Sequence, residues 1–178
     1  AARLHLAVDP AEFQALAEEL EAAFDRAPLA APVRTRTGLD AVDAWIGAGD
    51  LVRAVACSER LLQPPFESLQ RQAEIRAQAA RLAILRGADR AQLLALHRDL
   101  EATAGELFAQ WRQVPLREGG VGSFYFPARQ EVLTSLLALD RRVLEGPAAV
   151  ARAMAHLESA LSLRTLSRRL GGAPADLA

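Results

Sequence analysis

The chain has 178 residues, 51% of them apolar and 24% charged, which is enough for one domain whose core needs no covalent staples. Its formal net charge of −1 excludes a whole-molecule pull toward nucleic acid or an anionic membrane. A single cysteine, Cys57, excludes an intramolecular disulfide and a cysteine-built zinc cage.

Alanine and leucine supply most of the apolar residues, against only two Trp, one Tyr and six Phe, a balance that favours helices over strands. All 21 basic side chains are arginine, the footprint of a GC-rich, bacterial genome. No apolar run reaches the roughly 18 residues of a membrane-crossing helix. The opening AARLHLAVDP lacks the apolar stretch of a signal peptide, so a cytoplasmic location is expected.

Leu4, Leu6 and Val8 alternate with Arg3, His5 and Ala7, the pattern of a short N-terminal strand. Asp9-Pro10-Ala11-Glu12 then reads as a helix start, with Asp9 as cap and Pro10 in the first turn. Phe13, Leu16, Ala17, Leu20, Ala23 and Phe24 form the apolar stripe of that helix, and its acids face outward. Residues 27–37 hold two prolines and read as an extended connector with a short strand at Val33–Thr37. Thr37 marks the next helix start, and a short helix over Leu39–Ile46 carries Val42, Trp45 and Ile46.

Gly47–Gly49 break that helix, Asp50 caps the next one over Leu51–Leu62, and Pro64-Pro65 stop it. A helix over Phe66–Arg86 follows, with Leu69, Ala73, Ala77, Ala80 and Ile84 on one face. Its arginines 71, 76, 81 and 86 turn about 140° per step, which scatters them around the axis rather than lining up a phosphate-tracking stripe. Gly87-Ala88-Asp89 repeats the break, and from Arg90 to Trp111 apolar positions recur at 93, 97, 100, 104, 107 and 111.

Residues 113–127 change character. Three glycines and the run Phe124-Tyr125-Phe126 predict a β-hairpin pairing Val114–Leu116 with Ser123–Phe126. Two final helices, Ala128–Leu144 and Pro147–Arg169, turn inward Val132, Leu136, Leu139 and Val143 from the first and Val150, Met154, Leu157 and Leu161 from the second. Residues 171–178 read as a frayed tail. The expected fold is therefore mainly α: an antiparallel bundle or stacked helical hairpins over 1–178, with a small hairpin near 113–127.

The stretch AWIGAGDLVRAVACSERLL resembles the middle of a tetratricopeptide unit. Trp45 stands at that family's aromatic position, Gly49-Asp50 at its turn and Ala54 at its small contact residue. Ser58 departs from the pattern, and the resemblance spans residues 38–112. It implies a groove that holds a partner's peptide or helix.

No catalytic constellation is legible. Gly119-Gly120-Val121-Gly122-Ser123 is followed by no lysine, and Cys57 shares the apolar face of Ala54 and Leu61. The expected role is a non-enzymatic interaction or assembly module without cofactor or metal, whose partner is another protein or a second copy. Phe124, Tyr125, Phe126 and Trp45 are its candidate contacts. One alternative is a nucleic-acid-associated regulatory domain using Arg141, Arg142, Arg152, Arg164, Arg168 and Arg169. The other is a ligand or metal sensor around His97, with Asp99 and Glu101 nearby.

Overall fold

A computed structural model describes residues 9–28, 32–113 and 122–161. Seven helices run in chain order: α1 (Pro10–Arg26), α2 (Pro32–Gly47), α3 (Leu51–Leu61), α4 (Leu69–Leu85), α5 (Arg90–Gln113), α6 (Gly122–Val143) and α7 (Gly146–Leu161). Among the described residues there is no strand. The mainly helical expectation holds; the strand at Arg3–Val8 and the arm Val114–Leu116 lie outside the described residues.

The breaks between helices are built from short local signals. At the end of α2 the Asp50 N–H donates to the Trp45 carbonyl (3.0 Å) and the Gly49 N–H to the Ile46 carbonyl (3.0 Å). Gly49 sits at φ +79°, the left-handed turn this cap demands. Asp50 then accepts from the Arg53 N–H at 3.0 Å and starts α3. The α4–α5 corner repeats the device: Gly87 is at φ +70°, Ala88 N–H donates to Ala83 O, and Asp89 accepts from Gln92 N–H at 2.8 Å. Glycine reverses the chain and aspartate restarts it, so α2/α3 and α4/α5 become hairpins.

Two expectations are corrected. The segment Val33–Thr37 is helical, because α2 begins at Pro32, where a first-turn proline forfeits no bond. Thr37 lies inside that helix and satisfies its hydroxyl on the Val33 carbonyl (2.9 Å) instead of capping. Residues Ser123–Phe126 are also helical, in the first turns of α6. Three aromatics lower helix propensity by only a few tenths of a kcal/mol each. The same helix is anchored downstream by Val132, Leu136, Leu139 and Val143, all buried.

Two apolar clusters share α4. One gathers Ala17, Phe24, Leu39, Val42, Trp45, Ala54, Cys57 and Leu61 of α1–α3 with Ile75 and Leu82 of α4. The other gathers Ala73, Ala77 and Ala80 of α4 with Leu93, Leu100, Leu107 and Phe108 of α5 and the inward stripe of α6. A helix with neighbours on both sides buries more than one face, and the alanines of α4 let α5 and α6 approach closely. Gly38 serves the first cluster in the same way: a Cβ there would stand 2.7 Å from Leu61 Cδ2 and 2.9 Å from Phe24 Cδ2.

The four arginines of α4 and its end do scatter. Arg71 pairs with Glu74, Arg76 reaches the Asp99 carbonyl and the Thr103 hydroxyl, Arg81 meets Asp43 at 3.1 Å, and Arg86 turns to Gln92.

Helix α7 corrects a third expectation. Val150 and Met154, expected inward, are 65% and 52% exposed. Among the described side chains, those turned toward α5 and α6 are Ala149, Ala153, His156 and Leu157, the last as expected, while the side chain of Leu161 lies outside the described residues. The helix is rotated by one residue, about 100°, from the phase that apolarity alone would choose.

Candidate functional site

The rotation of α7 is explained by a polar cluster beneath it. Asp140 of α6 is 1% exposed, and both its carboxylate oxygens are taken by imidazoles. His97 Nε2 of α5 lies 2.7 Å from Oδ1, and His156 Nδ1 of α7 lies 3.0 Å from Oδ2. The far nitrogens turn toward one second carboxylate: His156 Nε2 is 3.2 Å and His97 Nδ1 3.9 Å from Glu101. Arg152, one turn before His156, meets the same Glu101 oxygen at 3.1 Å. The two imidazoles thus span a buried and a half-buried carboxylate, their ring centres 6.2 Å apart. A buried carboxylate is tolerable only when its lone pairs are filled by donors, and here two N–H groups fill them.

Sequence reasoning singled out His97 and Glu101 but missed Asp140 and His156, while Asp99 stays at the surface. A signal existed: Asp140 follows Leu136 and precedes Val143 by helical steps, so it lies on the buried face of α6. A polar residue on one apolar stripe needs a partner on the facing one. Among the described residues no three His, Cys, Asp or Glu side chains are disposed to hold a metal ion.

A second feature is an open groove of about 100 Å³ between α3 and α4. Val55, Leu62, Ala79, Leu82, Ala83 and Leu96 line it, Ser58 sits in its wall, and Glu59 and Arg86 stand at its rim. On the same two helices Val52 is 81% and Leu85 51% exposed.

The residues expected to contact partners are dispersed. Trp45 is 1% exposed, and its indole N–H donates to Glu21 at 3.0 Å, so it belongs to the core and is corrected as a surface contact. Phe124, Tyr125 and Phe126 lie on the α6 backbone, and their side chains are outside the described residues. Arg141 and Arg142 are exposed in the last turn of α6, where they complement the helix dipole. Arg152 is engaged by Glu101, and Arg164, Arg168 and Arg169 lie outside the described residues.

Cys57 is fully buried, its Sγ 3.8 Å from the Gly38 carbonyl oxygen. Burial pushes the thiol up to about 11, with the nearby Arg60 charge opposing. At pH 8 its thiolate population is about a hundredfold below that of an exposed cysteine. Alkylation by iodoacetamide is therefore expected to be negligible in the native protein and complete in urea; rapid native labelling would contradict this placement.

Compared with known proteins, the chain matches no family model, no curated protein and no solved structure. No helix among the described residues is long and apolar enough to cross a membrane.

Proposed function

We propose that this chain is a protein–protein interaction module that seats an apolar peptide or helix of another protein, or of a second copy, along the α3/α4 groove. The observation that carries the reading is the open apolar groove floored by Val55, Leu62 and Leu82, with Val52 and Leu85 exposed on the same two helices. Helix-in-groove recognition uses such an apolar floor with a charged rim. Glu59 and Arg86 supply rim charges of both signs, which favours a partner segment with complementary ends. The weak tetratricopeptide resemblance around Trp45 to Ala54 points the same way.

Sedimentation velocity across a wide concentration range, paired with photo-crosslinking from position 55 in cell extract, tests the reading. Self-association or a defined crosslinked protein, abolished by Val52→Glu with Val55→Glu, is the expected result. A wild-type chain that stays monomeric and captures nothing overturns it.

A further inference from the structure

Helix α7 departs from the usual amphipathic pattern. Between Pro147 and Leu157 the one Asp, Glu, Arg or Lys is Arg152, and its guanidinium turns back to Glu101 at 3.1 Å. The outward side is left to Pro147, Ala148, Val150, Ala151, Met154 and Ala155, all exposed, with Val150 at 65% and Met154 at 52%. A helix that is apolar on its outer as well as its inner side is normally covered on both.

The α3/α4 groove carries a matching row. Val52, Val55, Glu59 and Leu62 are spaced three, four and three residues apart, which sets them in one line along α3. Pro147, Val150, Met154 and Leu157 repeat that spacing on α7, so the two rows can interdigitate when the helices lie side by side and parallel. Charge selects the same direction. Gln78 donates to the Leu39 carbonyl at 2.9 Å and Arg81 meets Asp43 at 3.1 Å, so α4 runs with α2 and opposite to α3. Cys57, against the Gly38 carbonyl, is level with Gln78, and Arg86 therefore stands at the Val52 end of the groove. A guest α7 parallel to α3 brings Glu145, 88% exposed just before its first turn, to that end. The opposite direction would carry Glu145 to the Glu59 end, like charge against like. Within its own chain Glu145 makes a loose, exposed pair with Arg90 at 3.7 Å, a contact worth little.

We propose that the occupant of the α3/α4 groove is α7 of a second copy of this chain, with Val150 and Met154 laid along Val55 and Glu145 meeting Arg86. The inference rests on reading that groove as a docking surface and adds what fills it. Groove and guest are different patches of one molecule, so the contact is heterologous: copies join head to tail, and the series either closes into a ring or extends. Each added copy covers one apolar groove and one apolar helix face.

Two double variants of the full chain separate groove from guest in sedimentation velocity: Val52→Glu with Val55→Glu, and Val150→Glu with Met154→Glu. The wild type is expected to form dimers and larger species as concentration rises, and each variant alone should associate at least about tenfold more weakly. An equimolar mixture of the two should form a heterodimer and stop there, because the intact α7 of the first seats in the intact groove of the second. A mixture that stays monomeric, or an α7 variant that associates as the wild type does, overturns the proposal. A wild type that stays monomeric while position 55 crosslinks a different protein also overturns it, and leaves the groove reading standing. Should a glutamate variant fail to fold, Arg86→Glu and Glu145→Arg, both at exposed positions, give the same reading. Each is expected to weaken association alone and to regain it when mixed, and no gain on mixing refutes the pairing.

Discussion

Replacing Trp45 by alanine is expected to cost about 3–5 kcal/mol of folding stability, the usual range for emptying a fully buried aromatic site. Trp45 sits where α1, α2 and α3 meet, among Ala17, Phe24, Val42, Ala54 and Leu61. Its indole N–H holds Glu21, whose other oxygen is taken by Arg60, and Arg60 also binds Asp25 at 2.6 Å. The Arg53 guanidinium covers the indole face at 4.6 Å. Truncation therefore opens a cavity and also removes one of the two donors that hold Glu21. Trp45→Phe separates the two effects: it keeps most of the apolar area and should cost about 1–2 kcal/mol, since Arg60 still serves Glu21. Against a total stability of about 5–15 kcal/mol for a domain, the alanine variant removes a large share. Urea denaturation followed by far-ultraviolet circular dichroism measures both variants, and a loss under about 1 kcal/mol for the alanine would mean that the α1–α3 core does not depend on this ring.

Where the sequence was readable, the deciding information was local. The four-three spacing of Leu93, Leu100, Ala104 and Leu107 fixed the inward face of α5 because large side chains there contrast with charged neighbours. The Gly-Asp corners were readable because a left-handed glycine and a capping carboxylate act within five residues. The first half of α2 was not: Val33, Thr35 and Thr37 carry strand-like propensity, and it is packing of the later half on α1 and α3 that keeps them helical. Ser123–Phe126 failed for a related reason, an aromatic run judged apart from the long helix it extends.

The phase of α7 shows a different limit. In a helix where alanines stand on nearly every side, apolar periodicity gives no sharp direction, and the larger Val150 and Met154 misled the reading. Pairing of His156 with Asp140 decided the matter, and such a contact between separate helices leaves no periodic trace. Half of the polar cluster was accordingly legible: His97 and Glu101 share a helix four residues apart, whereas Asp140 lies 43 residues from His97 and Glu101 lies 55 from His156.

Removing the acceptor that both imidazoles share gives the second large effect. Asp140→Ala strips partners from His97 Nε2 and His156 Nδ1 in a site with almost no solvent, and each orphaned buried donor costs about 1–3 kcal/mol. A loss of about 3–5 kcal/mol is expected, in line with breaking one side of a buried charged pair. Asp140→Asn is the informative companion. Its oxygen can accept from one histidine, and its amide can donate to the bare nitrogen of the other if that ring is neutral, so the cost should drop to about 1–2 kcal/mol. Chemical denaturation reads all three proteins. If the alanine costs no more than the asparagine, the histidines have found other acceptors and Asp140 is not what orients them. If both cost as expected, a double-mutant cycle with His97→Gln apportions the energy between the α5 and α7 sides of the carboxylate. A larger coupling on the α7 side would mean that the seventh helix, with its alanine-rich grip, leans on this one buried charge more than the six helices before it do.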